Sequence, residues 1–428
     1  MRDLYDVIVV GAGPIGSATA RHLADRGHST LVTGPDEPAG FEDHRGLWAG
    51  HYDEGRLAHV LEVPLMTSLL AMRSIRRFAD LRERTGVTFT VPAHSLSVMP
   101  RTMAGGSGAD WFDRDILARN ARDLGVEVSE LDEDDLREQY PALTFEPKHV
   151  ALVQRDAFIL NPRRLVEAEL AAATAAGATL AREEVVRTEK VDGGVRVTAR
   201  SGASWLAERV VLATGAASNA TGLLPRPLLM PTYGATIVLV EVDGPDAIDM
   251  PATMYLKYRD ASAVFGGIVM PPLRYPDGKW YVKVAGSSLL HNPLDTAEEI
   301  GAWVRTGGRR EDIGEALAVL SDLMPGQKFG PARTRPCMVS ATPTERPYID
   351  MVDERTVIAV EGERGAMAAD EIGRLTAGLA VHGRWKDSIP HEVFQARWAE
   401  PGWTTAGRNA STIDPPAPRT ADATDGAC

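Results

Sequence analysis

A strand that stops at a glycine-rich turn and feeds a helix, a second strand-turn-helix near the far end, and strand-like runs between them together predict an α/β chain. The expected architecture is a Rossmann-like dinucleotide-binding domain interwoven with an α+β domain built on an antiparallel sheet. At 428 residues the chain is longer than a single core usually serves, so two interwoven domains are expected. Its 44% hydrophobic and 25% charged residues lie in the ordinary globular range and supply apolar side chains for large cores.

The elements follow in order. Tyr5 to Val10 is an apolar, β-branched run ending at GAGPIG; Ala18, Ala20, Leu23 and Ala24 then recur at helical spacing until Gly27, and Ser29 to Thr33 reads as a second strand. This is a β-α-β unit of about 30 residues, the size a parallel crossover needs. From Leu65 to Arg84, Met66, Leu69, Leu70, Met72, Ile75, Phe78 and Leu81 mark an amphipathic core helix. VTFTVPAHSLSVMP alternates as a strand, and DWFDRDILARNARDLG and LDEDDLREQYPAL read as short helices. The acidic cluster Asp132 to Asp135 is read as a solvated helix start rather than a metal site, since no His or Cys adjoins it. LVEAELAAATAAGA after Pro162 is a helix, leading into strands around Leu180, Val186, Val195 to Thr198 and Val210 to Thr214. TIVLVEV, AVFGGIVM and WYVKVAG, set apart by Pro, Gly and Asp, suit an antiparallel sheet. A helix from about Ala297 to Leu323 is interrupted by TGGR, and TVIAVEG followed by GAMAADEIGRLTAGLAV returns the chain to its first domain. Beyond Trp398 the composition is that of a disordered tail.

The formal charge is 46 − 59 = −13 with no dense basic patch, which argues against nucleic acid as a partner. No apolar run reaches a membrane span, and the N-terminus reads as strand and turn rather than signal peptide, so the cytoplasm is the expected location. Cys337 and Cys428 are the only cysteines, the second ending the polar tail, and a structural disulfide is not expected. No metal is expected.

In GAGPIG, Gly11 permits the tight turn, Gly13 lets the backbone approach a pyrophosphate, and Gly16 lets helix and strand pack closely, while the helix N-terminus supplies amides and dipole. The acid that binds ribose hydroxyls at the end of the second strand is missing: Gly34 occupies its position, and Asp36 or Glu37 would have to reach instead. A Rossmann unit does not by itself separate NAD from FAD. The small-residue turn Ala213, Thr214 and Gly215 after a late strand, and the lack of a second GxGxxG, point to FAD without NAD(P)H. The expected FAD-binding domain is 1–88, 151–226 and 331–384; the expected substrate domain is 89–150, 227–330 and 385–400; and 401–428 is the tail.

The order DVIVVGAG, the loop HYDEGRL, VVLATGA, RPCMVSATPTERPYID and AVEGERGAMAADEIG resembles the D-amino-acid-oxidase superfamily, nearest the monomeric sarcosine oxidase group of amine oxidases. The resemblance runs to about Trp398, and the Cys-Met pair followed by T-P is its most specific piece. It implies that Cys337 holds the flavin by a thioether to its 8α carbon, with Arg333 and Arg335 favouring the thiolate. From residues alone, a buried core cysteine is the commoner fate of a lone cysteine such as Cys337, and the two arginines read equally as surface charges. The resemblance further implies that Lys283 lies over the flavin N5 edge, where its charge assists electron transfer to O2; strand alternation alone would also allow a solvated lysine. Gly11, Gly13, Ile15, Gly16, Gly34, Asp36, Arg56, Val186, Thr214, Gly215, Cys337, Gly365 and Met367 are the expected cofactor contacts.

The departures bear on substrate. Two basic anchors for a substrate carboxylate are replaced by His59 and Met367, a tyrosine past the linked cysteine by Val339, and a histidine past the lysine by Ser287. Arg364 is the remaining candidate anchor, a surface pair with Glu361 or Glu363 being its plain alternative. His59, Arg364 and Met367 are thus the expected substrate residues, with Lys283 and Arg364 catalytic. The expected reaction is oxidation of the C–N bond of a secondary amine, N-methylated amino acid or cyclic imino acid other than sarcosine, with O2 reduced to H2O2. The alternatives are an amine dehydrogenase with another acceptor, an NAD(P)H-dependent flavin monooxygenase, and a non-catalytic flavin-bearing interaction protein.

Overall fold

A computed structural model of the chain describes residues 4–38, 40–42, 44, 46–102, 112–259, 262–286, 290–362, 364–400 and 402–405. Two sheets organise them. In the first, Tyr5–Val10 lies between Thr30–Thr33 and Ser204–Leu212, parallel to both. Thr179–Ala181 extends the sheet beyond Thr30–Thr33, and Thr356–Val360 beyond Ser204–Leu212, again in parallel. Ile8, Val9, Val211 and Val357 are fully buried because both faces of this sheet are covered, Val9, Val211 and Val357 by helices and Ile8 by Val185, Val195 and Val197 of neighbouring strands, and its strands therefore read as unbroken apolar runs.

Pro14–Ala24 packs on Pro162–Ala175 and Gly365–His382, and the last helix also on Leu65–Thr85. The first contact with Gly365–His382 is close enough that a Cβ at Gly373 would lie 2.7 Å from that of Ala18. Where the four helices meet, the core is charged. Arg21 binds Glu169 and, at 2.6 Å, Asp370; Arg77 reaches Asp370 at 2.5 Å and Glu371 at 2.6 Å; Arg374 holds Glu371 at 2.8 Å. The carboxylates are buried, so each depends on these partners.

The second sheet follows the order Leu290–Pro293, Thr232–Val242, Trp280–Gly286, Ser262–Arg274, Ala252–Arg259, Thr90–Pro100, His149–Leu160 and Arg56–Ala58, with Ala332–Ser340 also on Thr232–Val242. Its pairs are antiparallel except Ala252–Arg259 with Thr90–Pro100. Its two faces are distinct: Val238, Val240, Val282 and Val284 pack towards Asp312–Leu323, whereas Ala235, Ile237, Leu239, Tyr281 and Cys337 pack on the other side.

The α/β fold with a parallel sheet and a largely antiparallel second sheet is as expected. The helix expected from about 297 to 323 is interrupted at TGGR as expected, into Ala297–Arg305 and Asp312–Leu323, where Gly307 and Gly308 take φ of +71° and +87°. Asp132 caps the helix Glu133–Gln139, accepting from the amides of Asp134 and Asp135. His149–Leu160 straddles the expected boundary at 151, and Ala332–Ser340 lies past the one at 331, yet both strands belong to the second sheet.

Candidate active site

A cavity of about 620 Å³ opens between the sheets and is lined from both. Its first arm lies at the carboxyl ends of the parallel strands. Gly11 has φ +110°, and a Cβ there would stand 2.2 Å from the Ala213 carbonyl oxygen. One at Gly16 would meet the Gly11 carbonyl oxygen at 1.7 Å, so Gly16 works behind the wall and does not line it. At Gly13 the nearest atom to a Cβ is His51 Nδ1 at 3.6 Å, leaving the turn open towards the cavity. The helix that begins at Pro14 has no side-chain cap, so its N-terminal amides face a space where an anion would complete them. This cradle fits the pyrophosphate of a dinucleotide.

Ile15, Gly34, Asp36, Thr214 and Gly215 line the same arm. A Cβ at Gly34 would sit 2.7 Å from the Ala12 nitrogen, which is why no carboxylate stands there. Asp36 and Glu37 both reach the cavity but are engaged by arginines, Asp36 by Arg182 at 3.2 Å and Glu37 by Arg163 at 2.5 Å. Val186 does not reach it. Val185 enters the core, whereas Val186, 39% exposed and at a register shift between Val185 and Arg187, faces solvent; the expected contact there is corrected.

The middle of the cavity is built on the second sheet. Cys337 is opposite Ala235 and Lys283 opposite Leu239, which places both on the inward face. Lys283 is 3% exposed and so is not a solvated strand lysine. Its Nζ donates to Asp53 Oδ2 and to the Gly55 carbonyl, each at 2.6 Å. Asp53 also accepts from Tyr275 at 2.7 Å and pairs with Arg56. Burial, with Arg56 adding, pushes the Lys283 ammonium well below the ordinary lysine value, and Cys337 opposes that shift. Arg56 approaches the Cys337 sulfur, with Nη2 at 4.0 Å. Arg333 instead pairs with Asp277 at 2.9 Å and lies over the Tyr281 ring.

The far wall carries a second polar chain. Arg364 Nε donates to Glu62 Oε1 at 2.8 Å, His59 Nε2 meets the same oxygen at 3.2 Å, and His59 Nδ1 meets Ser95 Oγ at 2.8 Å. Burial would raise the Glu62 carboxyl, but Arg364 and His59 hold it down at about 2. Gly365 and Met367 line the cavity at the start of the last helix, and Leu57, Met254, Ile268 and Val339 give it apolar surface. Ser287 and Glu363 lie outside the described residues.

The structure thus brings together every expected site residue except Gly16 and Val186. Asp53 and Glu62, which carry the two polar chains, had no expected role. Asp53 stood in the loop singled out as HYDEGRL, and Glu62 interrupts the apolar run Val60, Leu61 and Val63; a charge inside an apolar run is the signal that could have found it.

The family model "FAD dependent oxidoreductase" (DAO) matches residues 6–379. A protein called monomeric sarcosine oxidase from Streptomyces avermitilis is 32% identical over 50% of this chain, a match that spans 53% of the relative. One of the same name from a Bacillus species is 24% identical over 90% of this chain and 94% of its own. Among solved structures, NikD, described as an unusual amino acid oxidase essential for nikkomycin biosynthesis, superposes with a TM-score of 0.74 at 21% identity, covering 93% of this chain and 98% of that one. L-proline dehydrogenase from P. horikoshii gives a TM-score of 0.66 at 18% identity, covering 92% and 97%. The chain belongs to the FAD-dependent oxidoreductase family.

Proposed function

We propose that this FAD-dependent oxidoreductase oxidises the C–N bond of a secondary amine, N-methylated amino acid or cyclic imino acid other than sarcosine. The products are an imine and, with O2 as acceptor, H2O2. The observation that carries this reading is the convergence in one cavity of a glycine cradle and uncapped helix for a pyrophosphate with a buried lysine and a cysteine on the opposite sheet. When bound, FAD accepts the two electrons released from the substrate.

The chain's own residues have separate tasks. Gly11, Gly13 and the start of the helix Pro14–Ala24 hold the pyrophosphate, and Thr214 and Gly215 let the chain cross over the cofactor. Cys337 is the attachment point for the isoalloxazine, beside Arg56. Lys283, oriented by Asp53 and the Gly55 carbonyl, supplies a fixed group where negative charge develops on O2. Arg364, His59 and Met367 form the substrate end, closed by Leu57, Met254 and Ile268.

The test is an anaerobic screen of amines and amino acids against the purified yellow protein, followed through the oxidised-flavin absorbance. A substrate bleaches it, and admitting air then consumes O2 and releases H2O2. Failure of every amine and amino acid to bleach it would overturn the reading, and bleaching without subsequent O2 uptake would replace the oxidase with a dehydrogenase. No helix among the described residues is long and apolar enough to cross a membrane.

A further inference from the structure

The substrate wall offers an arginine that is already occupied. Arg364 Nε donates to Glu62 Oε1 at 2.8 Å, and Glu62 is 5% exposed. The carboxylate cannot easily swing away, because its backbone is fixed as well: the Glu62 carbonyl accepts from Asn120 Nδ2 at 3.0 Å and from Ser68 Oγ at 3.1 Å. His59, itself held by Ser95, closes the other side of the same oxygen. The remaining cations of the inner wall are matched too, Lys283 and Arg56 both by Asp53.

A substrate carboxylate placed on Arg364 would share one guanidinium with a buried, ionised glutamate. Two carboxylates at one cation repel, and neither keeps the full set of hydrogen bonds that its desolvation requires. The rest of this wall, Leu57, Met254, Ile268 and Val339, receives hydrocarbon.

We infer that Glu62 is a specificity-determining residue that occupies the Nε edge of the Arg364 guanidinium and competes there with a second anion, so that the substrate is an apolar secondary or cyclic amine with no carboxylate next to the reacting C–N bond. The inference rests on the amine-oxidising reading and narrows it. Sarcosine and other N-methylated amino acids are poor substrates for this reason, and Glu62 carries a role as an internal stand-in for the substrate anion.

Matched pairs that differ by one carboxylate test it: piperidine against pipecolate, and N-methylbenzylamine against N-methylphenylglycine. In the unaltered holoenzyme the amine of each pair should bleach the flavin with kcat/KM at least ~10-fold above its carboxylate partner, the scale of one lost charged hydrogen bond. Benzoate, which cannot react, should bind weakly by equilibrium dialysis. Glu62→Gln keeps the shape and removes the charge, and should tighten benzoate by about 10-fold or more and narrow or invert the pair ratios. Carboxylate-bearing members winning in the unaltered protein, or benzoate affinity unchanged in a folded Glu62→Gln, would overturn the inference. If Glu62→Gln does not fold, the pair ratios and benzoate affinity of the unaltered protein decide alone. If no pair member bleaches the flavin, the wider anaerobic screen decides the amine-oxidising reading, while the benzoate comparison still judges the role of Glu62.

Discussion

Lys283 shows how far a single position can be read. Its neighbours Val282 and Val284 identify a strand but not which face the lysine takes, since alternation is symmetric until one face is known to be buried. The fold supplies the answer through register, and it supplies Asp53, which lies 230 residues from Lys283 and 222 from the Tyr275 that also binds it and has no local signature. Replacing Lys283 by Met keeps most of the stem and removes the donor. Reaction of the substrate-reduced enzyme with O2 should then slow by on the order of 10²-fold, the usual effect of losing one preorganised group at a developing charge. Anaerobic reduction by substrate should change much less. Stopped-flow traces of the two halves measure both, and an unaltered O2 limb would remove Lys283 from that role. Cys337 is the second residue-scale case. Flavin should remain with the chain after acid denaturation, and Cys337→Ser should release it; equal release from both proteins would exclude a thioether.

At the scale of elements, strongly periodic segments were legible and mixed ones were not. Leu65–Thr85 and Tyr5–Val10 lie where the apolar pattern placed them, because one stripe or a continuous run meets the core. His149–Leu160, one of the longest strands of the second sheet, went unread, since Gln154, Arg155 and Asp156 break its apolar pattern midway. Gln154 is nonetheless buried, its Oε1 accepting from the Val60 amide at 2.8 Å. The charged junction of four helices was equally hidden, because Arg21, Glu169 and Asp370 look like the polar faces of separate helices until the helices pack. Asp370→Asn should cost on the order of 3–5 kcal/mol, as breaking a buried ion network does. Burial would raise the Asp370 carboxyl, but His22, Arg21 and Arg77 hold it below the ordinary aspartate value. A lowered folded pKa contributes stability above the unfolded value of about 4, and that contribution disappears as pH falls towards the folded one. Urea denaturation should therefore show a large gap between the parent and Asp370→Asn at pH 7 that shrinks on acidification below about pH 4. A gap of constant size would show that the carboxylate charge is not what the junction uses.

The whole molecule was legible as an order of motifs and less so as a partition. The motif order carried the family and the cofactor class, whereas the ownership of individual strands depended on pairings between residues far apart, which no window of sequence contains. Because both sheets contribute walls to one cavity, a cofactor held in it would join them, with binding energy available to the folded state alone. In Cys337→Ser, the midpoint of thermal unfolding should rise with added FAD, by roughly 2.7 kcal/mol of stabilisation at a hundred times the dissociation constant. A midpoint indifferent to FAD would mean that the nucleotide is not bound across the two sheets. The strand Thr232–Val242 has a further bearing on how the protein can change. Cys337 faces Ala235 on one side of it and Lys283 faces Leu239 on the other, four residues apart and therefore in phase. Inserting or deleting one residue between 235 and 239 would reverse the parity of one partner relative to the other, turning it out of the cavity. The strand thus acts as a ruler with a fixed frame: point substitutions leave that frame intact, but length changes of odd number do not, and lineages descending from this protein should preserve its spacing even where its letters drift.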